Sequence, residues 1–88
     1  MEMIQEAAGS EEVLTRFNRL IRELLRGQIT RNTFRPWEVA LLLDIEDCHL
    51  RESSKETVLR RYQKAVQRQM DKGAAIPMKL SEFLHRKA

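Results

Sequence analysis

The side chains closest to a chemical signature stand together at Asp44, Glu46, Asp47, Cys48 and His49. Carboxylate, thiolate and imidazole groups are metal ligands, and paired carboxylates can do general acid–base work. The spacing works against both. Asp47, Cys48 and His49 are consecutive, so on a helix they point in different directions. Only Asp44 and Cys48 have the i, i+4 spacing of a helical ligand pair. The other histidine, His85, is remote in sequence. Nothing else supports a carboxylate pair made from Asp44 with Glu46 or Asp47. No glycine-rich phosphate loop and no nucleophile elbow occurs. The expectation is a non-enzyme with no metal ligands, no cofactor and no small-molecule ligand. The acids then solvate a helix or pair with arginines, and the single cysteine, Cys48, is a small core residue.

Charge is the second candidate chemistry. The net charge of +3 conceals a block pattern: −4 over residues 1–12, +5 over 13–36, −4 over 37–57 and +6 over 58–88. The two basic blocks could form a patch for nucleic acid or another polyanion. In the plainer reading, which patterning favours, basic and acidic helices of one bundle neutralise each other. Arg60, Arg61, Lys64 and Arg68 are the candidate nucleic-acid contacts, on the outer face of a helix whose Gln and Arg side chains suit base edges.

These residues need helices to hold them. With 88 residues, the chain can bury one core only. A content of 42% hydrophobic and 33% charged residues is too apolar for disorder and too polar for a membrane protein. The longest apolar run, Val39 to Leu43, is far short of a transmembrane span, and the opening residues lack the features of a signal peptide. The lone cysteine allows no internal disulfide, and the expected location is cytoplasmic.

Ser10 predicts an N-cap, with Glu11 and Glu12 favourable at the positive end of the helix dipole. Val13, Leu14, Phe17, Leu20, Ile21, Leu24 and Leu25 then fill one arc, opposite Arg16, Arg19, Arg22 and Arg26. Gly27 ends this first helix, and residues 28–35 form a loop. Pro36 opens a second helix whose apolar residues surround its axis. That distribution predicts the central element, covered by the first and third helices and by a second subunit. Ser53 and Glu56 have the spacing of a capping box for a third helix, with Val58, Leu59, Tyr62, Ala65, Val66 and Met70 inward and Gly73 as its stop. Ser81 predicts a cap for a short last helix over residues 82–86.

The expected fold is all-α, a small bundle of three main helices plus a short C-terminal helix. Residues 1–9 form an N-terminal arm and residues 10–88 one domain. The expected core is Leu14, Phe17, Ile21, Leu24, Trp37, Leu41, Ile45, Val58, Tyr62, Val66 and Phe83. Trp37 could anchor a partner or stack on a base, but it shares a face with Leu41 and Ile45 and reads as core.

The function expected from this pattern is a non-catalytic protein–protein interaction module, self-associating and regulatory. Its partner is a second copy, as a homodimer, or another protein. Val39, Leu42 and Leu43 are the candidate subunit contacts, and residues 76–80 offer an extended apolar stretch for a neighbour's groove. The alternative is a nucleic-acid-binding regulator. The second and third helices in succession resemble a helix-turn-helix, although their connection, residues 48–52, is longer than usual and has no glycine. Membrane binding is not expected, because the apolar face of the first helix is needed for the core.

Overall fold

The computed structural model describes the backbone of residues 2–30 and 34–87 and the side chains of residues 11–30 and 34–86. The described chain is a four-helix all-α bundle: α1 (Glu2–Arg26), α2 (Pro36–Asp47), α3 (Glu52–Asp71) and α4 (Leu80–Lys87). The three main helices and the short C-terminal helix match the expected fold.

Two glycines terminate the long helices by the same device. Gly27 has φ +71° and Gly73 has φ +100°. Gly27 N–H bonds to Leu24 O at 3.2 Å and Gln28 N–H to Glu23 O at 3.0 Å. Gly73 N–H bonds to Met70 O at 2.9 Å and Ala74 N–H to Gln69 O at 3.2 Å. Both are Schellman caps, in which a left-handed residue turns the chain so that two orphan carbonyls are satisfied. Beyond α2, the left-handed position is held by His49, with φ +50°.

Three helix starts differ from expectation, one of them that of α4, which begins at Leu80 so that Ser81 lies within its first turn. α1 begins at Glu2, so Ser10 lies inside the helix and not at its start. Residues 2–8 are mostly good helix formers, and an existing helix extends through Gly9 at a penalty of only about 1 kcal/mol. The expected arm over residues 1–9 is therefore helical backbone from Glu2 onward, continuous with α1; its side chains lie outside the described residues. Likewise α3 begins at Glu52 with Arg51 as its extended N-cap residue, so Ser53 lies within the first turn. Glu52 supplies the acid that the helix dipole favours there.

The close helix approaches are α1 with α3, α2 with α4, and α3 with α4. The central element is thus α3, not α2. The two longest helices bury their continuous apolar stripes against each other, while α2 rests on α4 and leaves one side exposed. Tyr62 sits at the middle of the core, fully buried. Its ring meets Phe17 edge-on, with centroids 5.4 Å apart, and Phe83 at 5.9 Å. Its hydroxyl does not reach the edge of the domain: it donates to Met78 O at 2.5 Å, inside the core.

Phe17, Ile21, Leu24, Leu41, Ile45, Tyr62 and Val66 are buried as expected. Leu14, Trp37, Val58 and Phe83 are half-buried around them. Leu59 rather than Val58 is the inner residue of the first turns of α3. The stretch 76–80 is not held out for a neighbour. Pro77, Met78 and Leu80 are buried in the chain's own core, and only Ile76 is largely exposed among its apolar residues. Gln69 holds this stretch down: its Oε1 accepts from Met78 N–H at 2.9 Å and its Nε2 donates to Ile76 O at 3.4 Å.

Candidate interaction surfaces

The acidic cluster at the end of α2 is used structurally. Asp44 takes Ser81 N–H at 3.0 Å on one oxygen and Ser81 Oγ at 2.7 Å on the other. It therefore caps α4 from a neighbouring helix, where Ser81 alone was expected to act, and places a carboxylate at the positive end of α4. Cys48 is half-buried. Burial, then Asp44 and Asp47, push its thiol above the usual range. It stays protonated at neutral pH, the opposite of what a nucleophile or metal ligand needs.

A polar centre that the sequence reading passed over lies between α1 and α2. Glu38 is 0% exposed. Its Oε1 accepts from Arg16 Nε at 2.8 Å, Arg16 Nη2 at 2.5 Å and Arg35 N–H at 2.9 Å. Arg19 Nη2 lies 4.0 Å from Oε2, a Coulombic contact too long for a hydrogen bond. The network continues outward, with Arg19 Nε 3.6 Å from Glu23 Oε2 and Arg35 Nη1 2.5 Å from Glu12 Oε1. The signal was present: Glu38 is the third residue of a helix opened by Pro36, where a carboxylate reaches back to the residue before the helix. What sequence could not show is that two arginines from the polar arc of α1 meet it there.

The outer side of α2 is the first exposed surface of interest. Pro36, Val39, Ala40 and Leu43 are exposed at helical spacing and form one apolar stripe. Val39 is 40% exposed and Leu43 51%. Of the three candidate subunit contacts, Leu42 is a core residue at 1% exposure and leaves the set. It lies off the Val39/Leu43 stripe and faces inward. Glu46 and Asp47 continue the exposed side to the C-terminal end, and Arg35 stands at the N-terminal end.

The groove between α1 and α3 is the second surface. Arg22 and Arg26 line its α1 wall, and Arg60 and Lys64 its α3 wall. Its floor is an amide pair, with Gln63 Nε2 donating to Asn18 Oδ1 at 2.9 Å. No acidic side chain lines the groove among the described residues. Arg60 has an exposed partner, Glu56, at 3.8 Å. Arg22, Arg26 and Lys64 pair with no acid among the described residues.

The four basic residues singled out on α3 are all exposed, but they do not form one surface. Arg60, Arg61 and Lys64 share a surface with Glu52 and Glu56, Arg60 and Lys64 also border the groove, and Arg68 lies apart, beside Gly73 and Arg86 on the α4 flank. The closest helix to α2 is α4, whereas a helix-turn-helix would place α2 against α3.

Among the described residues, no helix is long and apolar enough to cross a membrane. Compared with protein-family models, curated proteins and solved structures, the chain matches none of them.

Proposed function

We infer that the protein is a non-catalytic helical interaction module that self-associates through the outer side of α2. The apolar stripe of Pro36, Val39, Ala40 and Leu43, exposed on an otherwise well-buried bundle, carries this reading. An antiparallel pairing of two α2 helices about a two-fold axis supports it further. That arrangement sets Leu43 of one copy beside Val39 of the other. It brings Arg35 of each copy toward Glu46 and Asp47 of its partner. It also opposes the two helix dipoles favourably.

The stripe is short, so the interface belongs to the small, transient class with a dissociation constant of about 10–100 µM. Sedimentation velocity from about 5 µM to 500 µM is the test. The wild-type chain should shift from monomer to dimer across that range, and Leu43→Glu should remain monomeric while keeping its helical circular dichroism. A wild-type chain that sediments as a monomer throughout removes the reading.

A further inference from the structure

We propose that the groove between α1 and α3 binds the phosphodiester backbone of a single nucleic-acid strand. The inference does not depend on self-association, which uses a different helix.

Three observations carry it. First, the groove brings cations from two helices together, with Arg22 and Arg26 of α1 opposite Arg60 of α3, and Lys64 one turn further along the α3 wall beyond Asn18 and Gln63. Second, these cations contrast with the other arginines of α1. Arg16 and Arg19 are engaged with Glu38, and Arg19 also with Glu23, whereas Arg22, Arg26 and Lys64 pair with no acid among the described residues. A concave surface lined by one sign of charge concentrates the opposite ion. Third, the floor presents a donor without a partner: Asn18 Oδ1 is occupied by Gln63, and Asn18 Nδ2 donates to no described residue.

The geometry selects the ligand class. Within each wall the two cations are four residues apart, about 6 Å along the helix axis. This matches the scale of successive phosphates on one strand. Arg22 and Arg26 face Arg60, so a single backbone laid along the groove meets cations from both helices. Among the described residues, the lining contains no aromatic side chain on which a base could stack. Binding therefore reads charge and not sequence, with the bases turned outward. Acids stand at the rim: Glu56, 3.8 Å from Arg60 Nη2, with Glu52 on the outer side of Arg60 and Lys64, and Asp71, which holds Gln67 Nε2 at 3.0 Å beyond the Lys64 end.

Fluorescence anisotropy with labelled 20-nucleotide single-stranded DNA and RNA of mixed sequence tests the proposal. Neutralising four phosphates gives a slope of log affinity on log salt of about −3, a loss of roughly 50-fold between 50 and 200 mM salt. The triple variant Arg22→Gln, Arg26→Gln, Lys64→Gln should lose at least about 30-fold at 50 mM salt and flatten the slope to about −1. A control removes equal charge from the α3–α4 flank, through Arg68→Gln, Lys72→Gln and Arg86→Gln. It should lose less than about 3-fold. Equal losses in the two triple variants would reduce the effect to net charge and overturn the site. Absence of binding at 50 mM salt overturns it outright. So does tighter binding to a duplex, to a polyglutamate peptide or to vesicles of phosphatidylcholine with 30% phosphatidylserine (order of magnitude of an anionic leaflet). All three groove side chains point to solvent, so unchanged circular dichroism melting is expected of the triple variant.

Discussion

The same helix, α1, meets its neighbours through two opposite electrostatic arrangements. Toward α2, Arg16 and Arg19 converge on a carboxylate that is wholly buried. Toward α3, one and two turns further along, Arg22 and Arg26 face Arg60 across a groove that no acid lines among the described residues. Both sets come from one polar arc of one amphipathic helix. The contrast shows that an arginine stripe is not a single functional unit: each part of it takes its role from what the tertiary fold puts opposite. On the α2 side charge is neutralised inside the fold, and on the α3 side Arg22, Arg26 and Lys64 pair with no acid among the described residues.

The sharpest way to break this contrast is Glu38→Ala. Removing one partner of a buried ion pair leaves the other charge without compensation, and such losses run to about 3 kcal/mol or more. Urea unfolding should show it as a fall in midpoint. A loss below about 1 kcal/mol would place Glu38 with ordinary surface ion pairs and erase the difference between the two regions.

The contact of α3 with the segment that precedes α4 serves as a neutral reference. Tyr62→Phe removes the hydrogen bond to Met78 O, with an expected loss of about 1 kcal/mol at neutral pH that does not depend on salt. It also has a distinctive pH dependence. Burial first, then Asp44, Cys48 and Glu82, push the Tyr62 phenol well above its ordinary value. Below pH of about 10 the hydroxyl is protonated in both folded and unfolded chains, and its contribution is fully present. Above that pH the unfolded chain releases the proton first, so stability falls as pH rises, by up to about 1.4 kcal/mol per pH unit. Denaturation at pH 9, 10 and 11 should therefore show the wild-type advantage over Tyr62→Phe shrinking with pH. A constant gap would mean that the phenol is not so placed.

The smallest effect is expected in the groove. Arg22→Gln should change stability by less than about 0.5 kcal/mol. Its sign should be stabilising at low salt, because it relieves repulsion between like charges, and the gain should vanish as salt screens them. If Arg22→Gln destabilises instead, the groove cations hold the fold and are not held in reserve.

Local features were legible where the backbone itself demands a residue type. Gly27 and Gly73 mark the helix ends because their left-handed φ favours glycine, and Pro36 marks a helix start because its missing N–H is harmless there. Ser10 and Ser53 misled for a complementary reason. A serine can cap a helix, but nothing forces the helix to begin at it when the preceding residues also favour helix. The burial of Glu38 and the cap that Asp44 gives to α4 were not legible. Each depends on a partner 22 or 37 residues away in sequence.

By itself the sequence determined the number of helices, their main stops and the apolar stripes of α1 and α3. These follow from backbone sterics and a 3.6-residue period, which act within a few residues. Tertiary structure decided that α3 and not α2 is central, that Leu42 faces inward while Val39 and Leu43 do not, and that residues 77–80 close the chain's own core. It also decided which arginines are neutralised and which are not. Coulombic and packing energies depend on distance in space, and one helical stripe of charge is compatible with several neighbours until the helices dock.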